Sequence, residues 1–291
     1  MSQPESDRDE AFGPSDAVLL EIEETALELA RLAGAEIQSA LGRTLAIRYK
    51  KSAEGAPAFR DPVSEVDHAV EVLIRARLAE RFPEHGIIGE EFEEESREHD
   101  FLWAIDPIDG TTNFINGFPL FAASIGILHQ GRPLVGALWC SASHALRAGV
   151  YHARVGGRLR FEDEPLTLQA NEAVRRHLAG EPWASSGDAL PWDDRKTGSA
   201  AIECAFVAAG LLRVARFARP NIWDVAGGVA LVRARGGEVR TKTSQGWVAL
   251  DQFEAEGAAL RRWRQPVILG EPEAVKIVSR RHSCHRQCGH S

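Results

Sequence analysis

The chain has 291 residues, enough to bury a substantial core as one large domain or as two closely packed halves. Its net charge of −8 argues against a general nucleic-acid binder, which needs a basic face. No apolar run approaches the length of a membrane span, the first residues lack signal-peptide character, and four cysteines are too few for a disulfide scaffold. We therefore expect a cytoplasmic enzyme with neither a membrane nor a nucleic-acid partner.

Two helical patterns occupy the first third of the chain. Residues 1–15 are polar and aperiodic, which predicts a disordered tail. Apolar residues then recur every three or four positions from Asp16 to near Gly42, which predicts a long amphipathic helix. Ser64-Glu65-Val66-Asp67 has the spacing of a capping box and opens a second helix that ends near Phe82-Pro83. This pattern alone makes Asp67 a helix cap.

A carboxylate pair follows the third strong pattern in the sequence. The apolar run that starts at Leu102 predicts a buried strand that breaks at Asp106-Pro107 and reaches a turn at Asp109-Gly110-Thr111-Thr112. Pro107 keeps Asp106 out of the helical region, so both carboxylates can face one point. Free N–H groups at such a turn form a phosphate cradle. Hard carboxylates beside an anion cradle predict a Mg²⁺-assisted phosphate site.

The rest of the chain alternates between short strand-like and helical segments, which indicates the α/β class. Strands are predicted at 87–88, 123–128, 134–140, 148–155, near 239 and at 267–269, with a turn at 131–133. Helices are predicted to begin at Gly198-Ser199-Ala200-Ala201 and at Asp224. Cys140 and Cys204 lie in apolar runs and are predicted to be core thiols. The His- and Cys-rich residues 280–291 lack the usual zinc-site spacing and are predicted to form a disordered tail.

Several of these segments resemble one protein family. Asp106-Pro107-Ile108-Asp109-Gly110-Thr111-Thr112-Asn113-Phe114 resembles the signature of the inositol monophosphatase family. Trp223-Asp224-Val225-Ala226-Gly227-Gly228 and Gly89-Glu90-Glu91 resemble two further motifs of that family, in the family's order. Residues 61–67 resemble its Asp-x-Val-Thr-x-x-Asp element, with Ser64 in place of Thr.

The resemblance implies an architecture as well as an activity. It implies the layered αβαβα sandwich of the inositol monophosphatase and fructose-1,6-bisphosphatase type, a homodimer and inhibition by lithium. The metal-binding motifs would lie in an N-terminal α+β half, residues 16–157. A C-terminal α/β half, residues 158–279, would complete the site.

Residue roles also follow from the resemblance. It implies two or three Mg²⁺ ions per site, held by Glu90, Asp106, the carbonyl of Ile108, Asp109 and Asp224. Thr111 and Asp67 would position and activate the attacking water, and Glu90 would complete the catalytic set as a metal ligand. Substrate contacts would come from Asp109, Gly110, Thr111, Gly198, Ser199, Ala200, Phe217 and Asp224. For residues 198–200, simple close packing of a helix start remains an alternative.

The substrate is less constrained than the reaction. In family members that act on inositol phosphates, a Glu seven residues before the Trp-Asp aspartate contacts the ring hydroxyls, and here that position is Phe217. Arg213, Arg216 and Arg219 surround it and suit either an extra phosphate or carboxylate or a solvated face. We expect a Mg²⁺-dependent phosphomonoesterase for a small phosphorylated metabolite, with inositol monophosphate as first candidate. The alternatives are 3′-phosphoadenosine 5′-phosphate, histidinol phosphate and fructose 1,6-bisphosphate as substrates, or a catalytically silent metal-binding regulatory protein.

Overall fold

The computed structural model describes residues 13–43, 47–49, 62–92, 99–167, 173–180, 192–253 and 257–284. The helices in these ranges are α1 Asp16–Ala40, α2 Glu65–Arg81, α3 Thr111–Ile115, α4 Ala200–Ala208, α5 Ile222–Ala234, α6 Gly257–Arg261 and α7 Pro272–Cys284. The strands are β1 Ile47–Tyr49, β2 Pro62–Ser64, β3 Gly86–Gly89, β4 Phe101–Asp109, β5 Ala122–His129, β6 Arg132–Cys140, β7 Gly149–Arg154, β8 Arg160–Phe161, β9 Glu164–Pro165, β10 His177–Ala179, β11 Trp192–Asp194, β12 Val214–Phe217, β13 Glu238–Thr243, β14 Gly246–Ala249 and β15 Val267–Gly270.

The elements stack as five layers. Helices α1 and α2 cover one face of a seven-stranded sheet, and α4 and α5 cover the other. A four-stranded sheet in the order β12-β15-β13-β14 packs on the far side of α4 and α5, and α7 closes the stack. Three clusters of buried apolar side chains fill the spaces between these layers. The predicted αβαβα sandwich is therefore confirmed.

The large sheet runs β3-β4-β5-β6-β7-β8-β9, with β3 and β4 parallel and every later pair antiparallel. Central strands β5 and β6 are apolar on nearly every residue because helices cover both faces of the sheet. The predicted strands at 87–88, 123–128, 134–140 and 148–155 all lie in this sheet. Cys140 and Cys204 are buried free thiols, as predicted.

The two N-terminal helices begin as their sequences predict. The hydroxyl of Ser15 accepts from the N–H of Val18 at the start of α1, and Gly42 takes a left-handed φ of 77° after its end. Helix α2 opens with the capping box between Ser64 and Asp67. Helix α5 starts two residues before the predicted Asp224, because Asn221 forms its N-cap.

The central strand differs from its prediction. It does not break at Asp106-Pro107 but continues to Asp109, with a shift of register between Asp106 and Asp109. Asp106 lies opposite Ser124 and Asp109 opposite Ala122, so three steps on β4 match two on β5. Pro107 has no N–H to give to the ladder, and the strand therefore bulges instead of ending.

Three boundaries also differ from their predictions. The turn between β5 and β6 is formed by Gln130 and Gly131, both at positive φ, and Arg132 and Pro133 already belong to β6. Helix α7 extends to Cys284, so the prediction of disorder is wrong for residues 280–284, while 285–291 and 1–12 lie outside the described residues. The large sheet ends at Pro165, beyond the predicted boundary at 157, and the division into halves stays a prediction.

No helix within the described ranges is long and apolar enough to cross a membrane.

A close backbone approach fixes α5 on the large sheet. Gly126 and Gly136 lie opposite each other on β5 and β6, and a methyl group on either would collide with the backbone of Gly227 in α5.

We expect Gly136→Ala to lower the free energy of unfolding by about 1–3 kcal/mol, because neither backbone can retreat from a packed core. Urea unfolding would measure the loss. Gly13→Ala adds the same methyl group in open space and should leave stability unchanged.

Candidate functional site

Two parallel strand ends place the first two carboxylates side by side. β3 pairs with β4 so that Gly89 lies opposite Ile105, and the next residues along these strands are Glu90 and Asp106. The N–H of Glu90 donates to the carbonyl of Ile105 at 3.1 Å. The two carboxyl groups are in hydrogen-bond contact, which for two acids requires a shared proton or a cation.

The bulge in β4 brings Asp109 to the same side as Asp106. Residues three apart on a regular strand point to opposite faces, and the extra residue of the bulge cancels this alternation. Oδ2 of Asp109 accepts from the Ser199 hydroxyl at 2.6 Å and from the N–H of Ala201 at 2.5 Å. The first turn of α4 is thereby attached to the end of β4.

Asp224 reaches the same place from the first turn of α5. Its Oδ2 accepts from the N–H of Asn221 at 2.7 Å, completing a capping box. The hydroxyl of Ser124 on β5 donates to the carbonyl of Trp223 at 2.9 Å. Because Ser124 lies opposite Asp106 in the sheet, this bond fixes α5 beside the β4 carboxylates.

Glu90, Asp106, Asp109 and Asp224, which we call the carboxylate cluster, repel one another. Asp106 is buried and the other three are half-buried. Removal from water and then the charges of its three neighbours raise the pKa of Asp106 well above its usual range. Burial likewise raises the pKa of Asp224, and raises that of Asp109 to about 7 against the hydrogen bonds from α4. A bound cation would relieve this repulsion.

The donor chemistry of the cluster fits a hard divalent cation. Oδ1 of Asp106 is buried and has no hydrogen-bond partner within the described part of the chain. Such an oxygen is costly unless a proton or an ion meets it. In the described ranges, no three His, Cys, Asp or Glu side chains are already arranged to hold a metal ion. Asp109 and Asp224 instead accept from the N–H groups of Ala201 and Asn221 at the starts of α4 and α5.

A second acidic group lies next to the cluster. Oδ1 of Asp67 accepts from the hydroxyl of Thr111 at 3.1 Å, and that hydroxyl also lies 2.9 Å from the carbonyl of Ile108. The Ser64 hydroxyl and N–H both donate to Oδ2 of Asp67. Burial raises the pKa of Asp67 despite these bonds, and the charge of Glu90 adds to the effect. The hydroxyl of Ser64 therefore donates to Asp67, and the Thr of the family motif carries the same hydroxyl group at this position.

The turn after β4 depends on glycine. Gly110 has a φ of 91°, and an added Cβ would lie 3.2 Å from the Leu120 carbonyl oxygen and from the Ser199 side chain. Asn113 donates through Nδ2 to the carbonyls of Leu120 at 2.6 Å and of Thr197 at 2.8 Å. The loop that follows β4 and the loop that precedes α4 are therefore held together.

A cavity of about 250 Å³ opens beside Asp224. Its lining includes five predicted substrate-binding residues, namely Gly198, Ser199, Ala200, Phe217 and Asp224. It also includes Lys196, Glu203, Arg216, Ala218, Arg219 and Pro220. The other predicted substrate contacts, Asp109, Gly110 and Thr111, do not line it, although Asp109 bonds to Ser199. The structure thus joins the cavity lining to Asp109, which lies 90 positions before Ser199 in the sequence.

Two residues that sequence analysis missed hold the loop that carries Glu90. The buried carboxylate of Glu71 on α2 accepts from the N–H of Glu91 at 2.8 Å. The guanidinium of Arg261 on α6 donates to the carbonyls of Gly89, Glu90 and Phe92. Glu71 lies one helical turn after Asp67, which is a usable signal. Nothing in the sequence around Arg261 distinguishes it from a solvated arginine.

Arginines also cover the tryptophan of the Trp-Asp motif. The guanidinium carbons of Arg261 and Arg264 lie 5.2 and 5.5 Å from the ring centre of Trp223. Burial and the nearby positive charges of Arg261 and Arg219 lower the pKa of Arg264, while the charges of Asp224 and Glu90 act in the opposite direction. Positive charge is therefore concentrated immediately outside the carboxylate cluster.

Comparisons with known proteins show which family the chain is similar to. The model of the inositol monophosphatase family matches residues 19–269. The chain is 32% identical over 244 residues to an inositol-1-monophosphatase of Synechocystis, covering 78% of this chain and 80% of that protein. It is 31% identical over 245 residues to a chloroplastic phosphatase of Arabidopsis thaliana, covering 77% of this chain and 62% of that protein. A solved IMPase structure from Thermotoga maritima matches with a TM-score of 0.67 at 25% identity, over 89% of this chain and 97% of that one.

The raised pKa values predict that the cation-free protein loses stability as the pH rises. Between the ordinary value of 3.8 and about 7, the folded state holds a proton on Asp109 that the unfolded state has released. Stability therefore falls with increasing pH across this interval. We expect the Tm measured in EDTA to be lower at pH 8 than at pH 5. Asp109→Asn removes the titrating group, so its Tm should depend less on pH, and equal profiles for the two proteins would contradict the assignment.

The bonds from Arg261 predict a local effect on the Glu90 loop. Arg261→Gln should lower the free energy of unfolding by about 1–3 kcal/mol, because the carbonyls of Gly89 and Glu90 lose the guanidinium donor, while Phe92 keeps its bond from Arg75. Amide hydrogen exchange at residues 89–92 should become faster. Arg262→Gln removes an exposed arginine from the next position and serves as the control. If both variants exchanged at the wild-type rate in this loop, Arg261 would not hold it.

Proposed function

The chain belongs to the inositol monophosphatase family and is a phosphatase, and from this premise we propose that it is a Mg²⁺-dependent phosphomonoesterase of small phosphorylated metabolites. The observation that carries the proposal is the carboxylate cluster around the unpartnered Oδ1 of Asp106. A purely structural role does not account for four mutually repelling carboxylates beside a cavity. A site for divalent cations does.

The metal ligands in this proposal are Glu90, Asp106, Asp109, Asp224 and the carbonyl of Ile108. Oxygen donors of this kind suit Mg²⁺. Two ions would balance the charge of the four ionised carboxylates, and the charge of the substrate phosphate would offset a third. When bound, Mg²⁺ supplies positive charge that offsets the phosphoryl oxygens and lowers the pKa of water. The capping bonds of Asp109 and Asp224 hold these side chains at the edge of the site.

The catalytic pair in this proposal is Asp67 and Thr111. The Thr111 hydroxyl donates to Asp67, and Ser64 holds the other carboxylate oxygen, so the acceptor has one orientation. Asp67 then orients the attacking water and takes one of its protons as the water oxygen bonds to phosphorus. The P–O ester bond breaks, and the leaving alkoxide takes a proton from solvent water. The raised pKa of Asp67 makes it a stronger base near neutral pH than an exposed aspartate.

Inositol monophosphate is the first candidate substrate, on the strength of the family. The cavity beside Asp224 has a volume of about 250 Å³, and its lining includes Gly198, Ser199 and Ala200, which the resemblance gives as substrate contacts. Phe217, where inositol-specific relatives carry Glu, lies in the same cavity. 3′-Phosphoadenosine 5′-phosphate, histidinol phosphate and fructose 1,6-bisphosphate remain alternatives. The homodimer, lithium inhibition and the cytoplasmic location stay predictions.

Phosphate release from inositol 1-phosphate and from the three alternatives, with Mg²⁺ and with EDTA, tests the proposal. We expect turnover of at least one compound with Mg²⁺ and none with EDTA. Turnover that survives EDTA would contradict the metal assignment. An absence of turnover combined with a rise of Tm in Mg²⁺ would favour the silent metal-binding protein.

Asp106→Asn tests the metal assignment most directly, because Asp106 is the buried member of the carboxylate cluster. We expect turnover to fall about a hundredfold or more, since a ligand charge is lost where transition-state charge is neutralised. The fold should persist, and the Tm in EDTA should match or exceed that of the wild type because one repulsive charge is gone. Asp100→Asn changes an exposed carboxylate just before the same strand and should keep wild-type turnover.

A further inference from the structure

A buried carboxylate lies next to the Gly-Glu-Glu motif. The side chain of Glu71 on α2 is 0% exposed, and each of its two carboxylate oxygens has a partner. Oε1 accepts from Nε of Arg75 at 2.9 Å, one turn further along α2. Oε2 accepts from the N–H of Glu91 at 2.8 Å. The first bond stays within the helix, and the second crosses to the segment that follows β3.

The same carboxylate packs against the residue that precedes Glu90. A Cβ built on Gly89 would overlap with both carboxylate oxygens of Glu71. A glycine at this position therefore lets the carboxylate reach the N–H of Glu91. Glu71 thus contacts the residue before Glu90 and bonds to the residue after it, which limits the directions in which the Glu90 side chain can point.

Glu90 needs this support because its neighbour repels it. Its carboxyl group is in contact with that of Asp106, and two ionised carboxylates repel each other unless a cation lies between them. The backbone of Glu90 is held, since its N–H donates to the carbonyl of Ile105 and its own carbonyl accepts from Arg261. Glu71 adds the bond to the following N–H. A ligand that is already in place loses little freedom when a cation binds.

Asp67 lies one turn before Glu71 on α2, but its hydrogen bonds do not involve Glu71. Its carboxylate oxygens accept from Ser64 and Thr111. A substitution at Glu71 therefore leaves the bonds of the proposed base intact. The effect of such a substitution should fall on the segment that carries Glu90.

We propose that Glu71 is a positioning residue of the cation site, which sets the affinity for Mg²⁺ by holding the backbone on both sides of Glu90. The proposal rests on the proposed function for the identity of the ion and for Glu90 as its ligand. Partners that orient metal ligands contribute about ten- to hundredfold to metal affinity. Glu71 acts on the backbone of the ligand and not on its carboxylate, so we expect an effect at the lower end of this range.

Glu71→Gln tests the proposal with little change of shape. The glutamine has one carbonyl oxygen, so its amide group would face the N–H donor of either Arg75 or Glu91. Isothermal titration of the full chain with Mg²⁺ should therefore give a Kd about tenfold higher than that of the wild type. Glu80→Gln changes an exposed carboxylate on the same helix, whose ion pair with Arg77 lies at the surface, and should keep the wild-type Kd.

A kinetic measurement separates positioning from a purely structural role. In Glu71→Gln the Mg²⁺ concentration for half-maximal turnover should rise about tenfold, while kcat at saturating Mg²⁺ should stay within about threefold of the wild-type value because Asp67 keeps its bonds. A residue with a purely structural role would lower the Tm and leave this concentration unchanged. In EDTA, amide exchange of Glu91 should be faster in the variant, because its N–H loses a charged acceptor.

Gly89→Ala disturbs the same contact from the other side. The added methyl group overlaps with the Glu71 carboxylate and should displace it from Glu91, so the Kd for Mg²⁺ should again rise about tenfold. Because both substitutions break one contact, the double variant Gly89→Ala and Glu71→Gln should bind Mg²⁺ about as weakly as either single variant. A loss of about a hundredfold in the double variant would show independent effects and contradict the assignment.

The outcomes separate this inference from the function on which it rests. A wild-type Kd in both Glu71→Gln and Gly89→Ala would overturn the positioning role while leaving a Mg²⁺-dependent phosphatase. A lower Tm without a change in Kd would overturn it as well. A wild-type chain that binds no Mg²⁺ would overturn the proposed function and this inference with it.

Discussion

Mutual repulsion among Glu90, Asp106, Asp109 and Asp224 is the interaction around which the structure is built. Bringing carboxylates together and partly out of water raises their pKa values and costs stability. The fold offsets this cost with hydrogen bonds from the first turns of α4 and α5 and with arginines just outside the cluster. The cluster therefore depends on both halves of the chain.

The first residues of three helices both cap their own helix and contribute to the candidate site. Helices α2 and α5 begin with a capping box whose acidic member, Asp67 or Asp224, also faces the site. Helix α4 begins with Ser199, which caps its own helix and also donates to Asp109. The partial positive charge of a helix N-terminus stabilises a nearby carboxylate. Local capping and a functional position are consequently compatible, and neither interpretation excludes the other.

Close packing sets the distances between the parts of the site. Gly126, Gly136 and Gly227 let α5 lie directly on the large sheet, and Ser124 bonds to the carbonyl of Trp223. Asp224 is thereby fixed beside Asp106. On the other side, Arg261 joins the Glu90 loop to Trp223 through its carbonyl bonds and its position over the ring. A change at any of these contacts moves one carboxylate of the cluster relative to the others.

The sequence by itself determined the helices with strong periodicity, the buried strands of the large sheet, the family and the residues to examine, because periodicity, caps and motifs are local. It placed α1 and the capping box at Ser64 correctly. It misjudged Pro107 as a strand break and residues 280–284 as disordered, because a ladder shift and a helix packed on a sheet depend on neighbours. Only the tertiary structure decided that Glu71 and Arg261 hold the Glu90 loop and that Lys196 and Arg219 share a cavity with Asp224. The bonds of Arg261 join residues 169 to 172 positions apart, and no local pattern encodes them.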